Sequence, residues 1–255
     1  EAVIAYLAAL RSGNAVILLN ENIDDSLLQI VIDRYTPDWI VQHENKFIIP
    51  FYQKQYQDNE WWLLHRNTPI EKQEIHKDLA VLLSTSGTTG SPKMVRLSYA
   101  NLSSNAKAIA AYLEIQKGNE RAITTLPLNY SYGLSVINSH LEAGATIVLN
   151  NASILSREFW DTFAYHSVTS FAGVPYTYQM LHRLNPHKLS LPTLKTLTQA
   201  GGRLSNELIE YFSQLSKERE WQFFVMYGQT DATPRMSYVA PEMLPSKIGS
   251  IAIPV

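Results

Sequence analysis

A short apolar run, Leu79-Ala80-Val81-Leu82-Leu83, leads directly into Thr85-Ser86-Gly87-Thr88-Thr89-Gly90-Ser91-Pro92-Lys93. The run has the length and bounding residues of a buried strand, and the segment after it has the composition of a loop built around an anion. Gly87 and Gly90 let the backbone approach a ligand closely, hydroxyls and loop amides can donate to phosphate oxygens, and Lys93 adds a compact positive charge. From composition alone a solvated Ser/Gly turn has about equal weight, because short Gly-rich loops are common. Two better-known phosphate loops are excluded by counting. From Gly87, a Walker A loop would need Gly where Pro92 stands and a hydroxyl where Met94 stands. No stretch reads Gly-x-Gly-x-x-Gly after a strand, so a Rossmann dinucleotide site has no support.

The rest of the chain sets the frame for that loop. Helical spacing at Val3, Ile4, Leu7 and Leu10 ends near Gly13, a strand is expected from Ala15, and Asp24-Asp25-Ser26 supplies caps for a helix to Arg34. A strand at Trp39–Val41 and a pair at Lys46–Tyr52 and Glu60–Leu64 follow, then a polar stretch from Arg66 to Lys77 that reads as an internal linker. Beyond it, strands near Leu79, Ala122, Ala145, Val168, Leu194 and Trp221 alternate with helical stretches, the pattern of crossover connections. The expected class is α/β, a largely parallel, helix-covered sheet, divided into residues 1–77 and a core of 78–255.

Charge and composition then remove function classes. With 21 Lys and Arg against 23 Asp and Glu, the net charge of -2 leaves no global field for nucleic acid, so any anion site must be local. The absence of Cys excludes disulfides, zinc-thiolate sites and cysteine nucleophiles. His182 and His187 are five apart and share no helical face, and the histidines read as surface or satisfied polar residues with no metal site. No apolar run approaches the ~20 residues of a membrane span, and no leader is visible, so a cytoplasmic protein is expected.

The Thr85–Lys93 string resembles the phosphate loop of the adenylate-forming superfamily, which includes acyl-CoA synthetases, nonribosomal peptide adenylation domains and luciferases. The resemblance is reinforced, in order, by Leu126-Pro127-Leu128 with Tyr132-Gly133, by Ala200-Gly201-Gly202, by Tyr227-Gly228-Gln229-Thr230-Asp231, and by Gly249-Ser250-Ile251 with Pro254. It implies two packed αβαβα-type subdomains of an acyl-CoA synthetase-like N-terminal region. The implied chemistry is ATP-dependent activation of a carboxylic acid to an acyl-adenylate, followed by transfer to CoA or a phosphopantetheinyl carrier protein.

By the same resemblance, Thr85, Ser86, Gly87, Thr88, Thr89, Gly90 and Lys93 hold the β- and γ-phosphates, and Gly201 and Gly202 place main chain beside the adenine edge. Tyr227 and Gly228 receive the base, Thr230 bonds the α-phosphate, and Asp231 helps to bind Mg2+. Thr230, Asp231 and Lys93 are therefore the implied catalytic set, with Asp231 the metal ligand. Most relatives carry Glu at the position of Asp231, and the shorter side chain here implies a water-bridged metal contact. Tyr130 stands where many relatives place His; it keeps an aromatic wall to the acyl pocket and carries no base role across. Gly173 and Tyr178 resemble the segment beside that pocket, although on pattern alone such aromatic and apolar residues favour core over pocket by about two to one. The family's ribose Asp, hinge and mobile C-terminal domain with its catalytic Lys have no counterpart in these 255 residues. The expectation is an excised core with little adenylation activity alone. A binding-only module and a ligand-free scaffold of the same fold stay open.

Overall fold

The computed structural model describes the chain except for Asn45, Phe47, 70–73, 86–93, Thr233 and Ala252. It divides into two compact units, Glu1–Arg96 and Leu97–Val255.

In the first unit, α1 (Ala2–Arg11) precedes β1 (Val16–Leu18), and α2 (Asp25–Tyr35) starts where the Asp24 carboxylate accepts the Ser26 amide. Strands β2 (Trp39–His43), β3 (Tyr52–Asp58) and β4 (Trp61–Arg66) form an antiparallel sheet in the order β2-β4-β3. The strand expected over Lys46–Tyr52 therefore begins only at Tyr52. An edge position lets β3 expose its polar Gln53–Asp58 on both faces, so no apolar alternation announces it. After the polar stretch, β5 (Leu79–Ser84) pairs in parallel with β1 and lies beside β6 (Met94–Ser98), in the order β1-β5-β6. The supposed linker thus lies within the first unit, because chain on both sides of it enters one sheet, and the compact division falls after Arg96.

The second unit opens with α3 (Tyr99–Tyr112), fixed by a reciprocal capping box between Ser98 and Asn101. The chain then alternates as the sequence suggests: β7 (Arg121–Ile123), α4 (Ser131–Glu142), β8 (Thr146–Val148), α5 (Arg157–Tyr165), β9 (Ser170–Gly173), α6 (Pro175–Arg183), β10 (Thr196–Gln199), α7 (Asn206–Arg219) and β11 (Gln222–Tyr227). Two short strands, β12 (Ser237–Val239) and β13 (Ile253–Pro254), complete a seven-stranded sheet in the order β13-β12-β11-β10-β9-β7-β8. From β8 to β11 every neighbouring pair is parallel, while β12 and β13 run antiparallel.

Alternation along the strands assigns the two faces. Phe171, Leu197 and Phe223 stand in register and pack with Phe159, Tyr178, Leu181 and Phe212 of α5, α6 and α7. The opposite face offers Ala122, Ala172, Phe224 and Met226 to Ile109 of α3 and Tyr132 and Val136 of α4. Gly133 lets the start of α4 lie close to the segment that leads into it: a Cβ there would stand 2.3 Å from the Pro127 carbonyl oxygen.

On that helix His140 is 2% exposed, with Nδ1 2.8 Å from the Val136 carbonyl oxygen. It is a satisfied polar residue. Burial pushes its pKa down to about 4, with a smaller contribution in the same direction from the Arg235 cation. Because the folded value lies below the ordinary 6.5, the unfolded chain takes up the proton first. Stability from neutral His140 is thus full above about pH 6.5 and is lost as pH falls toward 4, by up to about 3 kcal/mol. Denaturant titrations over that range should show a flatter acid limb for His140→Gln; an unchanged limb would refute the assignment.

Candidate functional site

Strands β7, β9, β10 and β11 are parallel and adjacent, so their carboxyl ends share one edge of the sheet. The chain leaves β7 for β8 on one side and then crosses to β9 on the other. That reversal opens a crevice at the β7 and β9 ends, the place where open α/β sheets take ligands. The residues singled out in the sequence stand on the segments leaving these ends: Tyr130 after β7, Gly173 at the end of β9, Gly201 and Gly202 after β10, and Tyr227 through Asp231 from β11.

Several of them meet. Gly201 has φ +78, and a Cβ there would stand 2.2 Å from the Tyr130 hydroxyl, so the bare main chain after β10 lies against the Tyr130 ring. Burial raises the Tyr130 pKa above its ordinary value, which keeps the phenol neutral and excludes a base role near neutrality. Gln199, buried at the end of β10, donates its amide to the carbonyls of Ala200 and Gly202 at 3.2 and 2.9 Å and so braces this turn.

After β11 the chain folds back tightly, with Gly228 beneath the Pro234 carbonyl. The Gln229 side chain donates to the Tyr227 hydroxyl at 2.8 Å. Thr230 and Asp231 lie in a short 3-10 turn, where the Thr230 hydroxyl donates to Ser131 Oγ at 3.1 Å. Ser131 is the first residue of α4, a helix whose N-cap, Tyr130, makes no side-chain cap bond. This end of a 12-residue helix presents amides and the positive end of its dipole beside the Thr230 hydroxyl, chemistry suited to a phosphate oxygen. Asp231 is exposed, and among the described residues no group of three His, Cys, Asp or Glu is placed to hold a metal. One free carboxylate fits Mg2+, which commonly combines one or two carboxylates with substrate phosphates and water.

Tyr178 requires a correction. It has no exposed surface, its hydroxyl donates to the Thr198 carbonyl at 2.9 Å, and its ring packs edge-on against Phe171 and Phe212. It therefore belongs to the core and not to a pocket wall. Its ring also underlies Gly173, where a Cβ would come within 2.9 Å of it. Thr85 is half-buried directly after β5, in the first unit, whereas Ser86, Gly87, Thr88, Thr89, Gly90 and Lys93 lie outside the described residues. Sequence reasoning assigned no role to Ser131, Gln199 or Arg235, and no local pattern marks them.

The family model for the AMP-binding enzymes matches residues 1–255. The chain belongs to that family. Among curated proteins it is 32% identical over 184 residues to oxalate–CoA ligase of Arabidopsis thaliana, covering 70% of this chain and 35% of the relative. To a long-chain-fatty-acid–CoA ligase of Bacillus subtilis it is 27% identical, covering 71% and 32%. The aligned part of the chain thus spans about a third of the length of these relatives. Among solved structures, the o-succinylbenzoate–CoA synthetase of Bacillus subtilis in complex with AMP aligns with a TM-score of 0.60 at 27% identity, over 69% of this chain and 35% of that one. The same enzyme with ATP and magnesium aligns over 100% of this chain and 52% of that one, with a TM-score of 0.74 at 21% identity, a likeness of fold. The family's relatives here are acid–CoA ligases, and the mixed α/β architecture is that of their N-terminal region. Among the described residues no helix is long and apolar enough to cross a membrane.

Proposed function

We propose that the protein activates a carboxylic acid with ATP at the carboxyl edge of the seven-stranded sheet. A carboxylate oxygen attacks the α-phosphorus, the bond to the β-phosphate oxygen breaks, and pyrophosphate leaves an acyl-adenylate. A thiol of CoA, or of a carrier-protein phosphopantetheine, then attacks the acyl carbon and displaces AMP. Attack of one anion on another depends on placement and charge neutralisation more than on a protein nucleophile.

The observation that carries this reading is the meeting of the Thr230 hydroxyl with Ser131 at the uncapped start of α4. There Thr230 and the helix amides would donate to the α-phosphate, and Tyr227 would offer an aromatic face to adenine beside the open main chain of Gly201 and Gly202. Asp231 would ligate Mg2+, which supplies positive charge to the phosphates when bound. Thr85 to Lys93 would hold the β- and γ-phosphates, and Tyr130 and Gly173 would bound the acyl site. Tyr130, neutral and half-buried, excludes water there without taking a proton.

The test is AMP affinity and acid-dependent exchange of pyrophosphate into ATP in the intact protein. Thr230→Val is expected to slow exchange at least ~100-fold, the loss typical of a donor to developing charge. Unchanged exchange in both Thr230→Val and Lys93→Ala would sink the reading. Nucleotide binding without exchange for any acid would instead favour a binding-only module.

A further inference from the structure

Arg235 is 3% exposed, and no other Lys or Arg among the described residues is buried. It lies on the connection that leaves the Tyr227–Asp231 segment and enters β12. Nε donates to Ser135 Oγ at 3.2 Å, Nη1 donates to the Tyr112 hydroxyl at 2.7 Å and lies against the Met226 sulfur, and the guanidinium stands 4.6 Å from the centre of the Tyr132 ring. Its carbonyl accepts from Asn105 Nδ2 at 3.1 Å. Among the described residues no carboxylate comes within ion-pair distance of it.

A buried guanidinium without a counter-ion is costly, and an apolar residue of similar size would normally serve stability better. What distinguishes this place is α4. Ser135 lies one turn beyond Ser131 on the same helix face, ~6 Å along the axis, so the cation sits beneath the helix start that Thr230 meets. A charge at that depth is little screened by salt, and its attraction for an anion at the end of α4 adds to that of the helix dipole.

We propose that Arg235 is a positioning residue whose unpaired buried charge is the standing counter-charge for the phosphate bound where Thr230 meets Ser131. The inference rests on the nucleotide reading above and extends it to a residue remote from the phosphate itself.

Calorimetric titration of the intact protein with AMP and with adenosine separates the charge from the scaffold, because adenosine carries the base and ribose without the anion. Arg235→Met should weaken AMP about 10-fold or more and leave adenosine within about twofold. Arg235→Lys should restore most of the AMP affinity, and the thermal midpoint of Arg235→Met should not fall. Equal losses for AMP and adenosine in Arg235→Met, or no rescue by Lys, would reduce Arg235 to a structural role. Should Arg235→Met fail to fold, Arg235→Gln supports the same comparison. Wild-type protein that binds neither ligand would overturn the nucleotide reading, and this proposal with it, before any variant is compared.

Discussion

Gly228→Ala is expected to cost on the order of 3 kcal/mol of stability and to weaken AMP binding at least ~10-fold. The added Cβ would stand 1.7 Å from the Pro234 carbonyl oxygen, 2.6 Å from its carbon and 3.1 Å from Arg235 Cα. All three are main-chain atoms, so no flexible side chain can swing aside and the return path after β11 must itself move. That movement would displace both Thr230 and Arg235 from α4. Gly118→Ala is the control: its φ of +76 imposes backbone strain, but a Cβ there meets nothing within 4 Å, so ~1 kcal/mol and no change in AMP affinity are expected. Urea midpoints with AMP titrations decide the matter. A Gly228→Ala protein as stable as wild type would show that the tight return is not required.

Tyr178→Ala should cost about 4 kcal/mol, the range for deleting a fully buried aromatic. The ring contacts Phe171, Phe212 and Phe223, so its removal opens a cavity between α6, α7 and the sheet. Tyr178→Phe isolates the hydroxyl. The Thr198 carbonyl also accepts from Tyr132 at 2.9 Å and stays satisfied, so the loss should be only ~1 kcal/mol. Because Tyr178 is core, Tyr178→Phe should leave the preference among acid substrates unchanged. A changed preference at unchanged stability would return it to the acyl pocket.

The alternation of strands and helices in the second unit was legible because apolar periodicity is local and strong there, from the Phe159 and Phe163 face of α5 to Phe223 and Phe224 of β11. Elements without that signal were not. Polar β3 is exposed nearly along its length, and β6 carries the exposed Arg96 in its middle. Pattern favoured core for Tyr178, and only the family resemblance placed it at the pocket.

By itself the sequence determined the α/β class and the family, and it marked the segments proposed to contribute Tyr130, Gly201, Tyr227, Thr230 and Asp231, since each depends on short-range spacing or on motif order. The tertiary structure alone decided which of those segments are neighbours. Thr230 reaches Ser131, and Arg235 reaches Ser135, across about a hundred residues. Strand order sets those meetings: five parallel strands whose connections reverse at β7 bring distant loop ends to one edge. Nothing in local periodicity encodes that order, because the hydrogen bonds and packing that select it act only between segments already brought together by the fold.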